Sequence, residues 1–148
     1  MSSNPIYAFF STPKSFGPFI LRMLLASVFF YHGAQKAFGW FEGPGWNGTM
    51  TAFAGMGFSA GTTVFVMLTE LLVSIAMLFG FLTRLAALGV IAVMTGALYF
   101  VHAGQGITAC EYPFALLMVA VALFFVGAGR LSLDRAISSQ LLPVVGGY

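Results

Sequence analysis

Charge is almost absent from the interior of this chain. Six lysines and arginines and four acidic residues are spread over 148 positions, nearly all at the ends of long apolar runs. A bilayer core is crossed by roughly 20 residues of helix rising about 1.5 Å each. Four runs meet or approach that length, so the pattern predicts an all-α, polytopic four-helix transmembrane bundle with spans at about 16–38, 62–82, 85–102 and 111–127. A mean hydropathy of +0.96 with 7% charged residues lies outside the range of a soluble domain. The alternation of a membrane β-barrel is missing. One transmembrane domain, residues 1–148, is expected at this length.

Lysine and arginine set the direction of insertion, because cytoplasmic flanks carry them in excess. Lys14, Arg84, Arg130 and Arg135 flank one side, whereas residues 39–61 and 103–111 contain neither type. Both termini are therefore expected in the cytoplasm of a bacterial inner membrane protein, with 39–61 as an outer loop. Arg22, inside the first span, is expected to snorkel or pair inward. The stretch MSSNPIYAFFSTPK has no signal-peptide pattern and is read as retained, with Tyr7, Phe9 and Phe10 at the interface. A net charge of +2 from scattered basic residues does not suggest nucleic acid.

Two features break the apolar pattern. Glu70 is stranded within the second run, and the string Tyr31-His32-Gly33-Ala34-Gln35-Lys36 closes the first. Ionisable groups at membrane depth are costly and are the first candidates for function. His32 and Lys36 share a helix face, and a lone buried carboxylate such as Glu70 must find a partner, here Arg22 or Lys36, or stay neutral. The expected topology brings His32, Gln35, Lys36, Glu70, Tyr99, His102, Glu111 and Tyr112 toward one membrane surface, beneath the loop aromatics Trp40 and Trp46. The third run ends in His102-Ala103-Gly104-Gln105, an echo of His32-Gly33-Ala34-Gln35. Both following spans close into Arg-Leu after a glycine-containing turn, which suggests two related helical hairpins.

Such a cluster suits a flat amphipathic ligand such as a quinone. Its carbonyls accept hydrogen bonds from histidine or tyrosine, and its reduction consumes protons that an imidazole can deliver. Any catalysis is expected to be that of a quinone-linked oxidoreductase subunit, with redox proteins or further copies of the chain as partners. The rival reading is a non-catalytic scaffold that recruits a partner protein. No metal is expected, since Glu-x-x-His and His-x-x-x-His spacings are absent. The single cysteine, Cys110, provides neither a haem attachment pair nor a resolving thiol.

The string FFYHGAQKAFGWFEGPG at 29–45, followed by AGMGFSAG, Glu70-Leu71-Leu72, GFLTRLAALG, Glu111-Tyr112-Pro113 and GAGRLSLD, resembles the DoxX family of small bacterial membrane proteins. The resemblance covers roughly residues 18–135. It implies a four-helix membrane protein. The family's namesake is linked to thiosulfate:quinone oxidoreductase, and some relatives are described as membrane partners of sulfurtransferase and superoxide dismutase. Absence of a redox cysteine pair sets this chain apart from thiosulfate chemistry.

Overall fold

Proline, serine and glycine set the ends of the helices. The computed structural model describes residues 15–141, so Lys14 and the expected interfacial Tyr7, Phe9 and Phe10 lie outside the described residues. Helix α1 (Gly17–Phe38) opens with Pro18 in its first turn, where no amide donor is needed, and stops at Gly39, whose φ of 72° is left-handed. A short helix α2 (Gly45–Gly55) follows. Helix α3 (Ala60–Phe79) is capped by Ser59, whose hydroxyl accepts from the Thr62 amide, and ends at the left-handed Gly80. Helix α4 (Thr83–Gly96) continues into a π-helical turn, Ala97–Val101, and α5 (Ile107–Val126) and α6 (Leu133–Leu141) complete the described chain. No strand occurs among the described residues.

Four of these elements are long and apolar enough to cross a membrane: α1, α3, α4 with its π turn, and α5. Leu25 and Phe29 of α1 pack with Met77 of α3, Val90 of α4 and Leu123 of α5 in the core. On the outside Ile20, Leu72 and Phe125 are 66%, 65% and 73% exposed. So much exposed aliphatic and aromatic surface all round the helices is compatible with hydrocarbon and not with water. The most extensive packing is between α1 and α3 and between α4 and α5, so the chain pairs as the two hairpins that the sequence echo suggests.

The expected spans shift where backbone chemistry overrides hydropathy. The second stops at Phe79 rather than near residue 82 because Gly80 turns left-handed and Leu82 follows it at φ 49°. The fourth begins at Ile107, four residues before the expected start at 111. Pro113 therefore lies in the helix interior and not in its first turn. The region 39–61 is not plain loop, since α2 folds within it.

A polar lock holds the end of the bundle that carries α6. The Asp134 carboxylate accepts from the amides of Leu82 and Thr83 at 2.7 and 2.9 Å, so a residue far along the chain caps the start of α4. The Asp134 amide in turn donates to the Gly80 carbonyl at 3.0 Å. Arg22 does not snorkel. It is fully buried, and its Nη2 donates to the Leu131 carbonyl just before α6.

Candidate functional site

At the opposite end of the bundle, where α2 sits, the Lys36 ammonium donates to both oxygens of Glu70 at 2.6 and 2.7 Å. Of the two expected partners for Glu70, the structure selects Lys36. Helix direction explains the choice. Side chains lean toward the N-terminus of their own helix, and α1 and α3 run in opposite directions through the bundle, so the two side chains lean toward each other. The Glu70 side chain is 4% exposed and that of Lys36 22%. Among the described residues this is the salt bridge that joins α1 to α3.

The pair forms part of the wall of a partly open cavity of about 600 Å³ lined by all four spans and α2. Val28, Phe29, His32 and Lys36 come from α1, Phe65, Val66 and Glu70 from α3, and Val93, Phe100 and His102 from α4 and the turn beyond it. Tyr112, Pro113 and Leu116 of α5 complete the wall. Its chemistry is lopsided: carbon lines most of it, and the polar groups are few, a composition common in sites for small organic ligands. His102 Nδ1 is buried and has no hydrogen-bond partner in the structure.

The π turn places His102. Its amide donates to the Ala97 carbonyl at 3.0 Å, five residues back, and this widened turn carries Val101 and His102 round to the cavity. The same change of register leaves Tyr99 on the outside, 71% exposed and packed edge-on against Phe100. Tyr99 therefore does not join the cluster. Neither glutamine of the echo lines the cavity. Gln35 Nε2 donates to the Phe41 carbonyl and the Gln35 side chain also hydrogen-bonds His32, whereas Gln105 Nε2 donates to the Val101 carbonyl.

Trp40 and Trp46 do not cover the cavity. The left-handed turn at Gly39 folds Trp40 back onto the outer face of α1, where its ring meets Phe30 and Phe38 at 6.2 and 5.3 Å. The roof is made instead by Phe53, Met56 and Phe58, from α2 and the turn after it. Thr49, buried in α2, anchors this roof by donating to the Lys36 carbonyl at 3.1 Å. Glu111 faces a second, more open cavity of about 560 Å³ with Cys110 and the other side of His102. So the structure brings together His32, Lys36, Glu70, His102 and Tyr112, sets Gln35 against His32 outside the wall, and places Trp40, Tyr99 and Glu111 elsewhere. No group of three or more His, Cys, Asp or Glu gathers as a metal site among the described residues.

The sequence profile of the DoxX family matches residues 17–103, from the start of α1 through the π turn and His102. The chain belongs to the DoxX family. Membership and the four apolar helices together make it a multi-pass membrane protein. A Haemophilus influenzae protein described as uncharacterized is 37% identical over 73 residues, 47% of this chain and 48% of that protein. The chain thus spans about half the length of that relative. No solved structure matches. Within this DoxX protein, the matched segment contributes His32, Lys36, Glu70 and His102 to the cavity, while Tyr112 and Pro113 come from beyond it.

Two wall features escape a reading of the sequence, and a third does not. The roof residues Phe53, Met56 and Phe58 look like ordinary loop apolars, and only the Gly-Pro-Gly start of α2 hints that this stretch folds back over the bundle. The π turn has no signature in ALYFV. Pro113 does carry one, since a proline within an apolar run marks an interrupted helix, and such interruptions gather at sites.

Proposed function

We propose that this protein binds a quinone, or a small molecule of similar shape and polarity, in the α2-end cavity, and serves as a redox-associated subunit of a larger oxidoreductase complex in the bacterial inner membrane. The observation that carries the reading is the cavity itself: about 600 Å³ of mostly apolar space with His32, His102, Tyr112, Thr62 and a neutralised Lys36–Glu70 pair among its lining groups. Imidazole and phenol groups can donate to quinone carbonyls and exchange protons with a reduced ring. The ion pair gives a fixed dipole without net charge, which suits an uncharged ring better than an anion.

Positive charge supports the orientation. Arg22, Arg84, Arg130 and Arg135 gather at the α6 end, and the α2 end has only Lys36, which Glu70 neutralises, among the described residues. The α6 end then faces the cytoplasm and the cavity lies in the outer half of the bilayer. The test is binding of a water-soluble benzoquinone analogue to detergent-purified protein, followed by tryptophan fluorescence. His32→Ala and His102→Ala should each weaken binding by about tenfold, close to 1.4 kcal/mol or one good hydrogen bond. Unchanged binding in both variants would leave the scaffold reading as the better account.

A further inference from the structure

The cavity has its mouth in the side of the bundle. Phe65 of α3 and Phe100 of the π turn belong to its wall, yet they are 60% and 62% exposed. Ala92 of α4, also in the wall, is exposed between them. Phe100 is next to the end of α4 with its π turn, and the other two residues are well inside the spans: by helix rise Phe65 lies about 8 Å below the start of α3 and Ala92 about 14 Å from that end of α4. At that depth the neighbour outside is hydrocarbon. Closer to the α6 end the two helices shut, since a Cβ at Gly89 would come within 3.0 Å of Val73.

The roof toward water is built on aromatic contacts and is only partly closed, since its Met56 is 48% exposed. Phe53, Phe58 and Phe100 form a continuous aromatic contact, with ring centroids 5.5 and 5.4 Å apart, and Thr49 ties α2 to the end of α1. Beside the mouth Gly96 lacks a side chain, and a Cβ there would meet nothing within 4 Å.

We infer that the occupant is an uncharged amphiphile that enters from the bilayer between α3 and α4, its polar head at His32 and His102 and its apolar tail trailing past Phe65 and Phe100 into lipid. This rests on the pocket reading above and adds the class of ligand, a tailed one, and its path. A head bearing net charge would have to displace a salt bridge in which Lys36 already holds both oxygens of Glu70.

The experiment uses the full chain in lipid nanodiscs with two probes that share one head, 2,3-dimethoxy-5-methyl-1,4-benzoquinone and its decyl derivative. Gly96→Trp fills the mouth where the backbone and the space accept a side chain. Leu72→Trp, on a lipid-facing position away from the cavity, is the control. Gly96→Trp should weaken the decyl probe about tenfold and the tailless probe much less, with Leu72→Trp close to wild type for both. Decyl binding that is unchanged in Gly96→Trp would overturn the side entry while leaving the pocket intact. If wild type bound neither probe, the quinone reading would fail. A phospholipid with a diazirine on its acyl chain then tests the path alone. Photolabel on Val93 and Leu116, inside the cavity, supports tail entry, and label confined to outward-facing residues such as Leu72 overturns it.

Discussion

Breaking the Lys36–Glu70 pair from its two sides should have unequal consequences. With charge centres roughly 4 Å apart and an effective dielectric of about 20, the attraction is about 4 kcal/mol. Withdrawing both groups from water offsets much of that gain, so the pair itself contributes little net stability. Removing one partner is the damaging change, and the two partners differ in what they leave behind. Lys36→Met strands a carboxylate that is 4% exposed, for which the cost is about 3–5 kcal/mol. Glu70→Gln strands an ammonium that is 22% exposed and lies near the end of α1, from which it can swing toward the interface. That loss is roughly 1.5–3 kcal/mol, the range of a charged hydrogen bond. The double variant Lys36→Met/Glu70→Gln, with neither charge of the pair left, should return to within about 1 kcal/mol of wild type. Thermal unfolding in one detergent, analysed as a double-mutant cycle, reads all of these. Single variants that are equal and mild, with effects that add in the double, would refute the reasoning.

The lock at the α6 end predicts that Asp134→Ala loses about 2 kcal/mol, the upper range for a helix cap, because both carboxylate oxygens hold α4 amides; the midpoint of unfolding checks it. Gly80→Ala should be worse than an ordinary glycine substitution, since a φ of 63° strains any Cβ and that Cβ would collide with the Arg22 guanidinium. Adding Arg22→Lys to Gly80→Ala should recover part of the loss, measured in the same assay. For topology, an impermeant thiol reagent applied to intact cells should modify the half-buried Cys110. Modification confined to inside-out vesicles would reverse the orientation.

Hydropathy and caps made the spans legible because they report on one residue at a time or on a run. Gly17-Pro18 and Gly39 bracket α1 in the sequence as they do in space. The partners of Glu70 could be narrowed to two basic residues, and the choice between them needed the antiparallel packing of α1 and α3. Side-chain direction was harder. A reading in regular helix puts Tyr99 one turn from His102 and toward the same cluster, and the π turn sends the two apart. Trp40 is an amphipathic ring at an interface by composition, but where it lies depends on the left-handed φ of Gly39, which redirects the chain. The glutamines look like ligand contacts in the echo, yet Gln105 ties to the Val101 carbonyl and Gln35 divides between the Phe41 carbonyl and His32.

The central claim is that the α2-end cavity holds an uncharged, tailed redox molecule by its two histidines. Gentle solubilisation followed by mass spectrometry of the extracted small molecules tests it directly, with wild type beside the His32→Ala/His102→Ala double variant prepared at equal folded yield. The account predicts a quinone retained near one per chain by wild type and largely lost from the variant. Wild type that retains no quinone, or equal amounts in both proteins, would contradict it.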